Sequence, residues 1–130
     1  MDYVAIVTAL ALIQFLMLGA LVGRARARYG VAAPATTGHE MFDRWFRVHM
    51  NTAEQLLLFL PSMWIYAYYW NPLVAAGLGV LFIIGRTVYA ILYIRDPKSR
   101  SLGFLLTFIP IFAFLVGTLI GAIRSIVTGG

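Results

Sequence analysis

The chain contains no cysteine, and carboxylates are scarce: its 130 residues include five Asp and Glu against ten Lys and Arg. Without cysteine there is no disulfide, no thiolate metal site and no cysteine nucleophile, so any thiol chemistry must bring its sulfur with a substrate. Charge of either sign is thin at 12% of residues, while 62% are hydrophobic. Soluble domains are about half apolar, so this composition excludes an ordinary water-soluble globule. There is no internal repeat, low-complexity tract or lipidation signal. His39 and His49 read as surface or interfacial residues with no second ligand at a fixed spacing, and nothing points to a metal.

What the chain has instead is long charge-free runs, from Tyr3 to Gly23, Gln55 to Gly85 and Ser101 to Ile123. A helix needs about 20 apolar residues to cross the hydrocarbon core. The middle run is punctuated by Asn71-Pro72, a pair that ends one helix and opens another. The reading is an all-α, multi-pass integral membrane protein: an antiparallel four-helix bundle filling residues 1-130 as one domain, with spans near 4-24, 42-70, 72-94 and 102-125. Only Asp2 precedes the first span, so the basic start of a cleaved signal peptide is missing and that span is expected to persist. The connection "ARARYGVAAPATTGHE" contains Gly30, Pro34 and Gly38, which oppose helix, and Thr36 or Thr37 is the expected cap of the second helix. Gly77, Gly79, Gly85, Gly117 and Gly121 are expected to mark close approaches between helices.

A net charge of +5 raises the question of nucleic acid, but the distribution of the charge answers it. Arg24, Arg26, Arg28, Arg44 and Arg47 flank the first connection, and Arg95, Lys98 and Arg100 flank the third. In an antiparallel bundle these two connections share one side, which the positive-inside rule makes cytoplasmic, as in a bacterial inner membrane. The basic excess orients the protein and does not call for a nucleic acid.

Five polar residues of the second span, Arg44, Arg47, Asn51, Glu54 and Gln55, fall within about a third of the helix circumference, with His49 opposite. Arg44 reads as a headgroup anchor. Charges deeper in a bilayer cost roughly 2.5 to 3.5 kcal/mol each on insertion scales, so those that persist are paired or functional. On the third span, Arg86, Tyr89 and Tyr93 share a face. Arg86 and Glu54 come out at similar depths, which predicts a buried ion pair between them. Arg100 opens the fourth helix, where an arginine adds to the positive end of the helix dipole and suits an anion. Arg26, Arg47, Arg86, Arg95 and Arg100, together with Asn51, Glu54, Tyr89 and Tyr93, thus describe a cleft for a small, mostly anionic molecule bearing one cationic group. Glutathione, with two carboxylates, one ammonium and one thiol, fits.

Two stretches carry a resemblance to a known family. "TTGHEMFDRWFRVHMNTAEQ" holds an Arg-x-x-x-Asn-x-x-Glu pattern at Arg47, Asn51 and Glu54, and "GRTVYAILYIRDPKSRSLGF" spans the third and fourth helices. Together they resemble the membrane-associated proteins in eicosanoid and glutathione metabolism, MAPEG for short, over nearly the whole chain. The resemblance implies a homotrimer of four-helix subunits in which glutathione lies between neighbours. Arg26, Arg47, Asn51, Glu54, Arg86, Tyr89 and Tyr93 would bind it, and Arg100 would be the catalytic residue that stabilises its thiolate. The implied activity is a microsomal-type glutathione S-transferase of detoxification, with peroxidase action on lipid hydroperoxides beside it, and a lipophilic electrophile or lipid arriving from the bilayer. Gln55 stands where the mammalian eicosanoid enzymes usually carry tyrosine, and Ala27 where some carry a second arginine, so the eicosanoid substrates do not transfer. Two other readings compete. A non-catalytic lipid-binding scaffold of the same family has no need of Arg100, and a small multidrug exporter needs a glutamate in its first helix, where this chain offers only Gln14.

Overall fold

The computed structural model describes residues 1–130 as four long helices, α1 (Asp2–Tyr29), α2 (Glu40–Tyr69), α3 (Pro72–Arg95) and α4 (Ser101–Thr128), with one 3-10 turn at Pro97–Ser99 before the last. Each break has a local cause. α1 runs past its expected end because arginine is a good helix former, and it stops only where Gly30 takes a left-handed φ of 70° and returns its amide to the carbonyl of Arg26. The cap of α2 is His39, whose Nδ1 accepts the amide of Met41 at 3.0 Å, and not Thr36 or Thr37. The Thr37 hydroxyl instead donates to the Asp43 carboxylate, which also receives the amide of Gly38. Between α2 and α3, Asn71 accepts the amide of Leu73 at 2.8 Å and Pro72 takes the first helical position, where its missing N–H costs nothing.

The helices occupy the corners of a bundle. α1 packs on α2 and α3, α4 packs on the same two, and α2 touches α3 across the centre. Phe59 and Phe82 stack there with centroids 3.8 Å apart, and Phe114 closes against them from α4. Val4, Val7, Ala11 and Met63 belong to the same core. The outside is as apolar as the inside: Leu16, Leu57 and Ile126 are 73%, 77% and 80% exposed, which water would not tolerate on this scale and lipid does.

Three stretches, Asp2–Tyr29, Pro72–Arg95 and Pro97–Thr128, are long and apolar enough to cross a membrane by themselves. α2 is not among them, although four spans were expected. It has 30 residues, but Glu40, Asp43, Arg44, Arg47 and Glu54 occupy its first half.

The tightest approach is between α3 and α4. A Cβ placed on Gly103 would stand 2.4 Å from the Cα of Tyr89, and one on Gly85 would stand 2.9 Å from the backbone of Leu106 and Thr107. Gly79, Gly117 and Gly121 also make close contacts, as expected, but Gly77 faces open space. Gly103 was not singled out by the sequence. Because the obstacle at Gly103 is backbone, Gly103→Ala should force α3 and α4 apart and destabilise the bundle by about 1 to 3 kcal/mol. Gly77→Ala, with nothing to clash against and better helix propensity, should be neutral or stabilising. Thermal unfolding of the two variants in detergent separates them, and equal melting temperatures would refute the contact.

Candidate functional site

The site begins inside the bundle. Arg86 is 1% exposed, the largest fully buried side chain in the protein. The ion pair expected with Glu54 is not formed. The guanidinium is held by neutral oxygens: Nη2 donates to Asn51 Oδ1 at 2.7 Å and to Thr52 Oγ1 at 2.9 Å, Nε donates to Thr52 Oγ1 at 3.3 Å, and Nη1 donates to Thr107 Oγ1 at 3.4 Å. Both threonine hydroxyls spend their own proton on the carbonyl one turn back, Val48 for Thr52 and Gly103 for Thr107, each at 2.8 Å. Their lone pairs are thereby turned towards Arg86. The ring of Tyr89 lies 4.3 Å from the guanidinium carbon and supplies a π-face as well.

Neither threonine was anticipated as a site residue. The available signal was Thr107, one of two threonines in the apolar run of α4, which stands one turn after Gly103, the glycine that brings α4 against α3.

From this buried anchor the polar groups lead outward. Tyr93 stacks on Tyr89 with centroids 5.5 Å apart and is half-buried, so the expected stripe on α3 runs from the interior towards the surface. Arg47 and Arg100 both stand within electrostatic range of Tyr89. Arg100 is exposed at the first turn of α4, behind a turn fixed by the Ser99 hydroxyl, which donates to the carbonyls of Leu92 and Asp96.

On the face of α2, Arg47 Nη1 donates to Glu54 Oε1 at 3.1 Å across seven residues. Glu54 therefore takes its partner from its own helix. Arg86 points inward past Asn51 and never reaches it. Both members of the Arg47–Glu54 pair are open, with side chains 51% and 58% exposed.

Two residues lie apart from this group. Arg26 donates to the carbonyl of Ala35 at 2.7 Å and covers the ring of Phe42, fastening the α1–α2 connection. Arg95 lines a groove on the α1–α3 side. Arg44, expected as a headgroup anchor, donates to the carbonyls of Ile94 and Arg95 at 2.9 and 3.3 Å and caps the end of α3.

The larger hollows of the surface are lined by residues other than Arg47, Asn51 and Glu54. The closed crevice expected between α2 and α3 is thus, in one chain, an open polar face: a guanidinium, an amide and a carboxylate in a row on a helix whose remaining surface is greasy. Such a face can hold a zwitterionic ligand by ion pairs and amide hydrogen bonds, provided a further wall keeps lipid away.

Comparison with known proteins bears on this arrangement. The sequence profile of the MAPEG family matches residues 4–120. The chain belongs to the MAPEG family. An uncharacterized protein of Synechocystis is 47% identical over 116 residues, covering 89% of this chain and 85% of that one. Human microsomal glutathione S-transferase 2 is 39% identical over 102 residues, covering 78% and 67% of the two chains. Guinea pig leukotriene C4 synthase is 32% identical over 102 residues, covering 76% and 68%. This MAPEG protein is therefore a membrane helical bundle related to glutathione-dependent enzymes.

The buried network makes a discriminating prediction. Thr52→Val keeps the shape but leaves two guanidinium donors unmatched in an apolar interior, which should cost about 1.5 to 3 kcal/mol. Arg86→Met removes the charge together with its desolvation cost and should be the milder change. Melting temperatures in detergent in the reverse order would show that Arg86 is not held as described.

Proposed function

We propose that this MAPEG protein is a membrane glutathione transferase, a single four-span domain that conjugates glutathione to lipophilic electrophiles. The observation that carries the reading is the alignment of Arg47, Asn51 and Glu54 on one open face of α2, with Asn51 bonded to Arg86, whose guanidinium lies against the Tyr89–Tyr93 stack of α3. The relationship to microsomal glutathione S-transferase 2 supports it.

In the free chain Arg47 and Glu54 neutralise each other. A zwitterion exchanges that pair for two new ones: its carboxylate takes the guanidinium and its ammonium takes the carboxylate, so neither charge is left unpaired in a medium of low dielectric. Asn51, oriented from behind by Arg86, offers its amide to the peptide backbone of the ligand. In this reading Arg86 and Tyr89 act from beneath the site. Arg86 is fully buried and each of its guanidinium nitrogens already has an acceptor inside the bundle, so the direct contact with glutathione implied by the resemblance becomes a positioning role.

The open face needs a second wall, and a homotrimer provides it. A neighbouring subunit would cover the stripe and contribute its Arg26, and the site would open on the cytoplasmic side, as in a bacterial inner membrane.

Chemistry requires a thiolate. A thiol with an ordinary pKa of about 8.5 is only a few per cent ionised at neutral pH, and lowering it by two units needs about 2.7 kcal/mol of differential stabilisation. The exposed guanidinium of Arg100, at the positive end of the α4 dipole, supplies this through a charge-assisted hydrogen bond of roughly 1.5 to 3 kcal/mol with Coulomb attraction added. The thiol proton leaves to water at the interface. The sulfur then attacks the electrophilic carbon of a substrate dissolved in the bilayer, a C–S bond forms, and the leaving group departs with its electron pair. The same thiolate can attack the terminal oxygen of a lipid hydroperoxide, breaking the O–O bond to release the alcohol and leave glutathione sulfenic acid, which a second glutathione thiol converts to the disulfide with loss of water.

Arg100→Ala should retain glutathione binding while losing the ultraviolet absorbance of the bound thiolate. An unchanged thiolate signal removes Arg100 from the role. Arg47→Ala and Glu54→Ala should each weaken glutathione binding by about tenfold or more, the loss expected for one charge-assisted contact. Turnover of purified protein with glutathione and an aryl halide, then with a lipid hydroperoxide, divides transferase from peroxidase activity. Binding and turnover both absent would favour the non-catalytic scaffold.

A further inference from the structure

The side of the bundle formed by α1 and α3 carries a hollow that the glutathione reading does not use. It is a groove of about 650 Å3 whose walls include Met17, Leu18 and Leu21 of α1 and Ala90, Ile91 and Ile94 of α3. Its deep end is fastened by Gln14, whose amide donates to the carbonyl of Ile83 at 3.0 Å and to Thr87 Oγ1 at 2.9 Å. From Gln14 to Arg24 the helix rises about 15 Å. That is the depth of one leaflet of a hydrocarbon core about 30 Å thick.

The other end of the groove is basic. A smaller hollow of about 190 Å3, lined by Arg24, Arg28 and Tyr29, adjoins it through the shared residues Leu21 and Trp45, and Arg95 lines the groove itself. All three arginines are exposed. The ion pairs of the chain are Arg44 with Glu40 and Arg47 with Glu54, so Arg24, Arg28 and Arg95 have no carboxylate partner. Arg28 is engaged only by the ring of Tyr29, 5.6 Å from its guanidinium carbon.

We propose that this composite groove binds an acidic glycerophospholipid, one acyl chain lying along α1 and α3 and the phosphate held among Arg24, Arg28 and Arg95. The inference stands apart from the glutathione site. A neutral lipophile would leave three guanidinium groups unmatched at the rim. A second copy of the chain has no free acid to offer at that depth: Glu40 and Glu54 are paired, Asp43 accepts from Thr37 and Gly38, Asp96 caps the turn at Lys98, and Asp2 stands at the opposite end of α1. An anionic headgroup over an apolar tail satisfies both parts of the hollow.

The test is native mass spectrometry of the purified protein in neutral detergent, titrated with phosphatidylglycerol or phosphatidylcholine of identical acyl chains. Wild type should take up phosphatidylglycerol with a preference of about tenfold or more, since each basic residue near an anionic headgroup contributes a few-fold. The triple variant Arg24→Gln, Arg28→Gln, Arg95→Gln should lose that preference. Met17→Trp, at a position 61% exposed and so harmless to the core, should block the tail and reduce uptake of both lipids. Circular dichroism confirms that the variants are folded. Equal uptake of the two lipids by wild type, or a preference that survives the triple variant, overturns the proposal. Phosphatidylglycerol uptake unaffected by Met17→Trp overturns the placement of the tail.

Discussion

A guanidinium sealed inside a membrane bundle without a carboxylate is the constraint around which this structure is arranged. A fully buried charge is tolerable only if its donors are matched, and here the acceptors are an amide oxygen on α2 and hydroxyls on α2 and α4. Arg86 thereby ties three helices at one depth. The arrangement depends in turn on small residues. Gly85 and Gly103 let the α3 and α4 backbones come close enough for Thr107 to reach across. The same network holds Asn51 and Tyr89 in place, so the rigidity of the outer face originates in the interior.

The scarcity of acid has consequences at both ends of the functional argument. Four of the five carboxylates are engaged in ion pairs or backbone caps, and only Glu54 shares its face with an exposed guanidinium and a half-buried amide. A ligand at that face must therefore be mainly anionic, with at most one cationic group to exchange against Arg47. On the other side of the bundle, Arg24, Arg28 and Arg95 lack carboxylate partners beside an apolar groove. In a chain with so little acid, unmatched arginines are most readily satisfied by phosphate at the membrane surface. On the two proposals made above, excess positive charge would serve two distinct anions, one that reacts and one that surrounds the protein.

An open polar face on a lipid-exposed helix also explains why one subunit looks unfinished. The first half of α2 is too charged to qualify as a membrane span by itself, and its exposed Arg47 and Glu54 would meet acyl chains unless something covers them. In the proposed homotrimer, a neighbouring copy would resolve the conflict between a greasy environment and a polar site. It would also give Arg26, which is committed to its own connection within one chain, a neighbour to act on.

The sequence by itself determined the four helices, the break at Asn71-Pro72, the membrane setting and the residues that share a stripe. Periodicity, charge-free length and turn chemistry are local properties, readable without knowing what a segment packs against. Only the tertiary structure decided the pairings. Arg86 and Glu54 lie at similar depths, yet Arg86 turns to Thr52 and Glu54 to Arg47, because depth along a helix says nothing about its rotation towards a neighbour. For the same reason Gly103 is a contact and Gly77 is not. The groove between α1 and α3 belongs to neither helix alone, and it exists because side chains far apart in the chain meet there.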